Sequence, residues 1–107
     1  MILKVTIDEK TFPLEVDNEM MLSAQDAFQK MDVDMDRGWQ MSRIWVDQPN
    51  DTQRCQIAAD KMLTAIQQEK TATVGLMAAY ILNKMPGIQA VDIDTSGDMT
   101  LTEIVMS

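Results

Sequence analysis

Apolar and polar residues alternate at the start of the chain, as they do in a strand with one buried face. The alternation covers 4–8 and returns in 11–16, so it predicts a hairpin whose apolar positions share one face. Pro13 lies inside the second of these strands and has no backbone N–H to donate. Because proline in a sheet is largely confined to edge strands, we expect this strand at an edge.

The next stretch has the period of a helix. Residues on one stripe recur at intervals of three and four from Met21 to Val46, which predicts one long amphipathic helix with Asp17 or Asn18 as its N-cap. Gly38 interrupts it at a cost of about 1 kcal/mol relative to alanine, so it marks a kink, an end or a close approach by another backbone. The positions on the stripe are Met21, Ala24, Phe28, Met31, Met35, Trp39, Ser42 and Val46.

A turn at 47–51 precedes a second amphipathic helix, which is predicted to run to about Lys70. Asp51 or Thr52 is its predicted N-cap. Cys55 lies on its apolar stripe and is the one cysteine of the chain, so there is no internal disulfide. We expect Cys55 to behave as a small buried hydrophobic residue rather than as a reactive thiol.

A third helix is predicted over 73–85, and it is apolar on two faces because Leu76 and Tyr80 lie opposite the main stripe. A helix that is apolar all round has to be covered by other elements or by a partner. Pro86 and Gly87 are predicted to end it.

Residues 90–94 and 99–105 are rich in β-formers and flank turn residues, so they are predicted to pair as a second hairpin. The resulting order is ββ-ααα-ββ. It predicts an α+β fold in which helices pack on one face of an antiparallel sheet. The length of 107 residues suits one small domain that spans 1–107.

The turn of this second hairpin also has the side-chain spacing of a calcium loop. An EF-hand loop ligates calcium from alternating positions and ends on a glutamate, with glycine at the sharp turn. Residues 92–103 resemble such a loop, with Gly97 at the turn and Thr100 at the water-holding position. The resemblance implies flanking helices, whereas Pro86 and the following β-formers favour a plain hairpin, so both stay hypotheses. The metal ligands that the resemblance implies are Asp92, Asp94, Ser96, Asp98 and Glu103, with Ser96 standing where the stricter motif has Asp or Asn.

The chain is acidic, with 17 Asp and Glu against 9 Lys and Arg and a net charge of −8. Such a chain repels phosphate backbones, so we expect no nucleic-acid binding. The charge suits a basic protein partner or a cation, and no basic residue follows Lys84. The N-terminal pattern is that of a strand rather than a secretory signal, and no apolar run is long enough for a membrane span. We therefore expect a cytoplasmic protein without membrane contact.

Residues for catalysis are sparse. The chain has no histidine, so the commonest general base is missing, and it has no glycine-rich phosphate loop. Asp32 and Asp36 lie one helical turn apart and could share a proton or a cation. Their neighbours Arg37 and Arg43 favour a solvated face instead. We expect a protein that is not an enzyme and carries no cofactor.

Methionine is unusually frequent, with 11 residues. The simplest explanation is that methionines fill the helical core. Two alternatives stay open, namely an adaptable partner-binding groove and a thioether site for Cu(I), for which Met31 and Met35 lie one turn apart.

Two functional hypotheses follow. The first is a non-enzymatic interaction domain that binds a protein partner or forms a homodimer. Its contact surface would be helical and would include Trp39, Trp45, Leu76 and Tyr80, because aromatic residues and methionine are enriched at interfaces. The second is a calcium-binding module that uses 92–103.

Overall fold

The computed structural model describes residues 1–107. The fold class is α+β, as the sequence predicts, but the order is ββ-αα-ββ-αα-ββ rather than ββ-ααα-ββ. None of the helices combines the length and apolar character needed to cross a membrane. The elements are β1 (Ile2–Ile7), β2 (Lys10–Glu15), α1 (Asn18–Ser23), α2 (Gln25–Asp36), β3 (Trp39–Met41), β4 (Ile44–Val46), α3 (Asp51–Gln67), α4 (Thr71–Lys84), β5 (Ile88–Ile93) and β6 (Glu103–Met106), with a 3-10 helix at Met99–Leu101.

The prediction of one long helix from Met21 to Val46 is wrong. A break at Ala24, with ψ near 3°, separates α1 from α2. Gly38 then has φ +93°, and Ser42 has φ +59° at the turn between β3 and β4. Both values lie in the left-handed region, where a right-handed helix cannot continue. The two tryptophans therefore lie on a small hairpin and not on a helical surface.

The main sheet is mixed, with the order β2-β1-β5-β6. Both outer pairs are antiparallel, but the central strands β1 and β5 are parallel, so the prediction of an antiparallel sheet is wrong at its centre. The helical layer supplies the long crossover that a parallel pair requires. The prediction that β2, which contains Pro13, is an edge strand is confirmed.

The helices cover one face of this sheet. Leu3 and Val5 of β1 are fully buried, whereas Ile2 and Lys4, which alternate with them along the strand, are exposed. Helix α4 packs mainly against α3 and also touches α1. Its fully buried residues include Ala79, which explains why this helix is apolar on more than one face.

The helix caps and helix ends lie at or close to the predicted residues. Asp17 caps α1 by accepting a hydrogen bond from the backbone N–H of Met20 at 2.7 Å. Asn50 caps α3 in a capping box with Gln53, so neither Asp51 nor Thr52 is the cap. Helix α4 ends two residues before Pro86.

The C-terminal hairpin is only partly as predicted. Strands β5 and β6 pair in antiparallel register, with Val91 opposite Ile104 and Asp92 opposite Glu103. Residues 99–101 form a 3-10 turn instead of extending the second strand. A loop therefore separates the strands.

Asp32 of α2 is not on a solvated face, contrary to the sequence-based expectation. Its side chain is 29% exposed and accepts hydrogen bonds from the Tyr80 hydroxyl at 2.7 Å, from Lys84 Nζ at 2.8 Å and from Arg54 at 3.2 Å. Burial acts to raise the pKa of Asp32, but the hydrogen bonds from Lys84, Tyr80 and Arg54 outweigh it and the pKa lies below its usual value. This carboxylate links α2 to α3 and α4.

We predict that Asp32→Asn lowers the free energy of unfolding by about 1–3 kcal/mol, because it leaves Lys84 without a charged partner and Arg54 with Asp36 alone. The control is Asp36→Asn, since Asp36 also contacts Arg54 but its side chain is 61% exposed; its cost should be below about 1 kcal/mol. Urea denaturation measures both. Equal effects would contradict the role assigned to Asp32.

The difference in unfolding free energy between the wild type and Asp32→Asn should depend on pH. The pKa of Asp32 is lower in the folded protein than its usual 3.8, so its charge stabilises the fold above that value. This contribution is lost as the pH falls through the folded-state pKa. The stability difference between wild type and Asp32→Asn should therefore shrink below about pH 4.

Candidate functional site

The loop between β5 and β6 is organised by the carboxylate of Asp94. Its Oδ2 accepts hydrogen bonds from the Ser96 hydroxyl at 2.6 Å, the Ser96 N–H at 3.0 Å and the Asp98 N–H at 3.2 Å. The bond from the Ser96 hydroxyl is the main reason that the pKa of Asp94 is below its usual value. Asp94 thus closes a turn with its own side chain, as aspartate commonly does in loops.

Asp98 closes the second half of the loop. Its Oδ1 accepts from the Thr100 hydroxyl at 2.6 Å and from the Thr100 N–H at 3.0 Å, which caps the 3-10 turn and lowers the pKa of Asp98. Gln56 of α3 donates to the carbonyl oxygens of Thr100 and Thr102 at 3.3 and 3.0 Å. The loop is therefore held both from within and from the helical layer.

The five residues that the EF-hand resemblance assigns to a metal do not meet around one point. Asp92 and Glu103 face each other across the β5–β6 pair, while Asp94 and Asp98 bind their own loop. No group of three Asp, Glu, Cys or His side chains is close enough to share an ion. The flanking elements are β5 on one side and the 3-10 turn with β6 on the other, so the helix-loop-helix context is not present.

An acidic cleft of about 390 Å³ opens beside this loop. Two of its acidic residues, Asp8 and Glu9, come from the β1–β2 turn, and Asp8 accepts a hydrogen bond from the Thr95 hydroxyl at 2.8 Å. These two residues were not among the predicted site residues, because only the parallel pairing of β1 with β5 brings their turn to the loop. The residues that line the acidic cleft are Thr6, Asp8, Glu9, Asp92, Ile93, Asp94, Thr95, Leu101 and Glu103.

The β3–β4 hairpin is fastened to the other side of the loop. The Ser42 hydroxyl accepts a hydrogen bond from the Met99 N–H at 2.9 Å and donates to the Gly97 carbonyl at 3.4 Å. Leu101 and Arg43 line a smaller cavity at this junction. Since Leu101 lines the acidic cleft as well, it connects the two parts of the surface.

Three large apolar side chains of the hairpin and the loop remain exposed. Ile44 is 53%, Trp45 57% and Leu101 59% exposed. The Trp45 indole donates to Asp47 at 2.7 Å. We call residues 42–45 together with 94–101 the loop–hairpin surface.

The other residues predicted for partner binding are placed differently. Trp39 is half-buried, with the Lys61 ammonium 4.8 Å from its ring centre. Leu76 is half-buried against the core. Tyr80 is fully buried and bonds Asp32, so its assignment to a contact surface is corrected. Of the four residues, Trp45 is the one that is exposed.

Comparison of the chain with protein-family models, with curated proteins and with solved structures gave no match.

We predict that Gly38→Ala displaces the Trp45 ring, because a Cβ at residue 38 would overlap that ring. The matched control is Gly97→Ala, since Gly97 also has a positive φ but no neighbouring atom within 4 Å. Both variants should lose about 1 kcal/mol or more from backbone strain. In a Trp39→Phe background, Gly38→Ala should in addition shift the Trp45 fluorescence. An unchanged emission spectrum would contradict this packing.

Proposed function

We propose that this protein is a non-enzymatic interaction domain that binds a protein partner through the loop–hairpin surface. The observation that carries the proposal is the exposure of Ile44, Trp45 and Leu101 on a segment fixed by hydrogen bonds. Tryptophan is strongly enriched among the residues that dominate binding energy. Holding the backbone in place before binding reduces the entropy lost on association.

Charged side chains form a polar rim around the exposed apolar residues of this surface. Asp47 holds the indole of Trp45, and Asp98 lies near Arg43 at the hairpin turn. Apolar side chains surrounded by charged ones are the usual composition of a transient interface. The surface therefore suits a partner that binds and dissociates.

The protonation and hydrogen bonding of the Cys55, Tyr80 and Asp32 side chains support a function without catalysis. Burial raises the pKa of Cys55 to about 12, so the thiol stays protonated at neutral pH. Burial and the hydrogen bond to Asp32 also raise the pKa of Tyr80. Asp32 itself is occupied by three donors.

The test is selection of binders from a displayed library of natural protein segments, with affinities measured by titration. We expect binders whose affinity falls by about tenfold or more for Trp45→Ala and for Leu101→Ala. Leu22→Ala is the control, because Leu22 on α1 is 75% exposed and lies outside the loop–hairpin surface. Binders that respond equally to all three changes, or to none, would contradict the proposal.

The partner of this surface could be a second copy of the chain, in which case the protein would form a homodimer. Light scattering after size exclusion measures it directly. A dimer that dissociates in Trp45→Glu, without loss of the fold, would identify the partner as the chain itself. A monomer at high concentration leaves a different protein as the partner.

Calcium binding by 92–103 is a second candidate function. The observation that favours it is the acidic cleft, which five carboxylates line without any basic residue, Asp8 and Glu9 among them; binding would require these side chains to move together, because no three of them are close enough to share an ion. Calorimetric titration should then give one saturable site that is lost in Glu103→Gln. Glu15→Gln, on the exposed edge strand β2, is the control. The absence of heat at about millimolar calcium would contradict this function, because even weak calcium modules saturate there.

A further inference from the structure

The two edges of the main sheet differ. At one edge β2 contains Pro13, which deprives that strand of a backbone donor. At the other edge β6 pairs with β5 on one side and with no strand on the other. Unpaired strand edges are templates for further strands, and proline is one of the usual devices that prevent such pairing. The β6 edge is the one without proline.

The side chains of β6 alternate in the way that strand recognition requires. Ile104 packs against the core, while Val105 is 39% exposed on the face that the helices leave open. Glu103 is exposed and lines the acidic cleft, and Met106 at the far end is 46% exposed. An added strand would thus find one acidic and two apolar neighbours along this edge.

The negative charge near the β6 edge favours a positively charged partner. Glu103 lies opposite Asp92, and the acidic cleft adds Asp8, Glu9 and Asp94 with no basic residue in its lining. Paired like charges across strands are unfavourable, and a cation beside them relieves the repulsion. A second copy of the chain would bring another net charge of −8 to the same edge. A basic segment is therefore favoured over self-pairing.

We propose that β6 accepts an extended basic segment of a partner protein as a fifth strand of the main sheet. In that segment lysine or arginine alternates with apolar residues, so that the basic side chains lie on the face of Glu103 and Val105 while the apolar ones lie on the face of Ile104 and Met106. Backbone hydrogen bonds provide affinity in this mode of recognition, and the alternate side chains provide specificity. The inference goes beyond the proposed function, because β6 lies outside the loop–hairpin surface and because the chemical class of the partner segment is named.

The test is titration of the full chain with a short blocked peptide in which lysine and valine alternate. Glu103→Lys should weaken binding by about tenfold or more, because it removes the attraction and adds repulsion. Glu15→Lys is the matched control, since it makes the same change of charge on the edge that contains Pro13; its effect should stay within about threefold. The amide protons of 103–106 should exchange more slowly in the complex.

A second peptide separates strand addition from simple charge attraction. It has the same lysines but proline in place of valine, so it keeps the charge but loses every second backbone N–H, and its proline rings obstruct regular strand pairing. Equal binding of the two peptides, or unchanged exchange over 103–106, would overturn the proposal. So would a β6-mediated homodimer that Val105→Lys dissociates. If library binders depend on Trp45 and Leu101 while the lysine–valine peptide does not bind, this inference fails and the proposed function stands.

Discussion

One carboxylate, Asp32, sets the relative positions of the three longest helices. It lies on α2 and accepts hydrogen bonds from Arg54 of α3 and from Tyr80 and Lys84 of α4. A charge that is largely withdrawn from water is stable only while its partners are in place. The position of α3 matters for the site as well, because Gln56 on that helix binds the carbonyl oxygens at the end of the β5–β6 loop. The loop is therefore coupled to the helical layer through α3.

The second constraint is the parallel pairing of β1 with β5. Because the two strands are parallel, their C-terminal ends lie at the same end of the sheet, and the turn after β1 meets the loop after β5. This brings Asp8 and Glu9 beside Asp94 and creates the acidic cleft. Gathering carboxylates costs electrostatic energy. The loop offsets part of that cost, because Asp94 and Asp98 accept hydrogen bonds from its own N–H and hydroxyl groups.

At the loop–hairpin surface, the side chains that hold the backbone in place differ from those that are exposed to a partner. The polar residues Ser42 and Gln56 hold the backbone of the loop by hydrogen bonds, and Met99 packs against the core. Leu101 and Trp45 consequently stay exposed while the segment that carries them is fixed. Exposed apolar side chains on a fixed backbone are what an anchor residue at an interface requires.

Features that depend on neighbours along the chain could be predicted from the residues alone. Alternation fixed the first hairpin, Asp17 was one of two predicted caps, and Pro86 ends the last helix near where it was expected to. Three features depend instead on tertiary packing, namely the division of 21–46 into helices and a hairpin, the direction of β5 and the surroundings of Asp32. They could not be predicted because periodicity indicates which face of an element is apolar but not which element will cover that face. Pairings over long separations are selected by the packing of the whole core, and that information is spread over residues far apart in the chain.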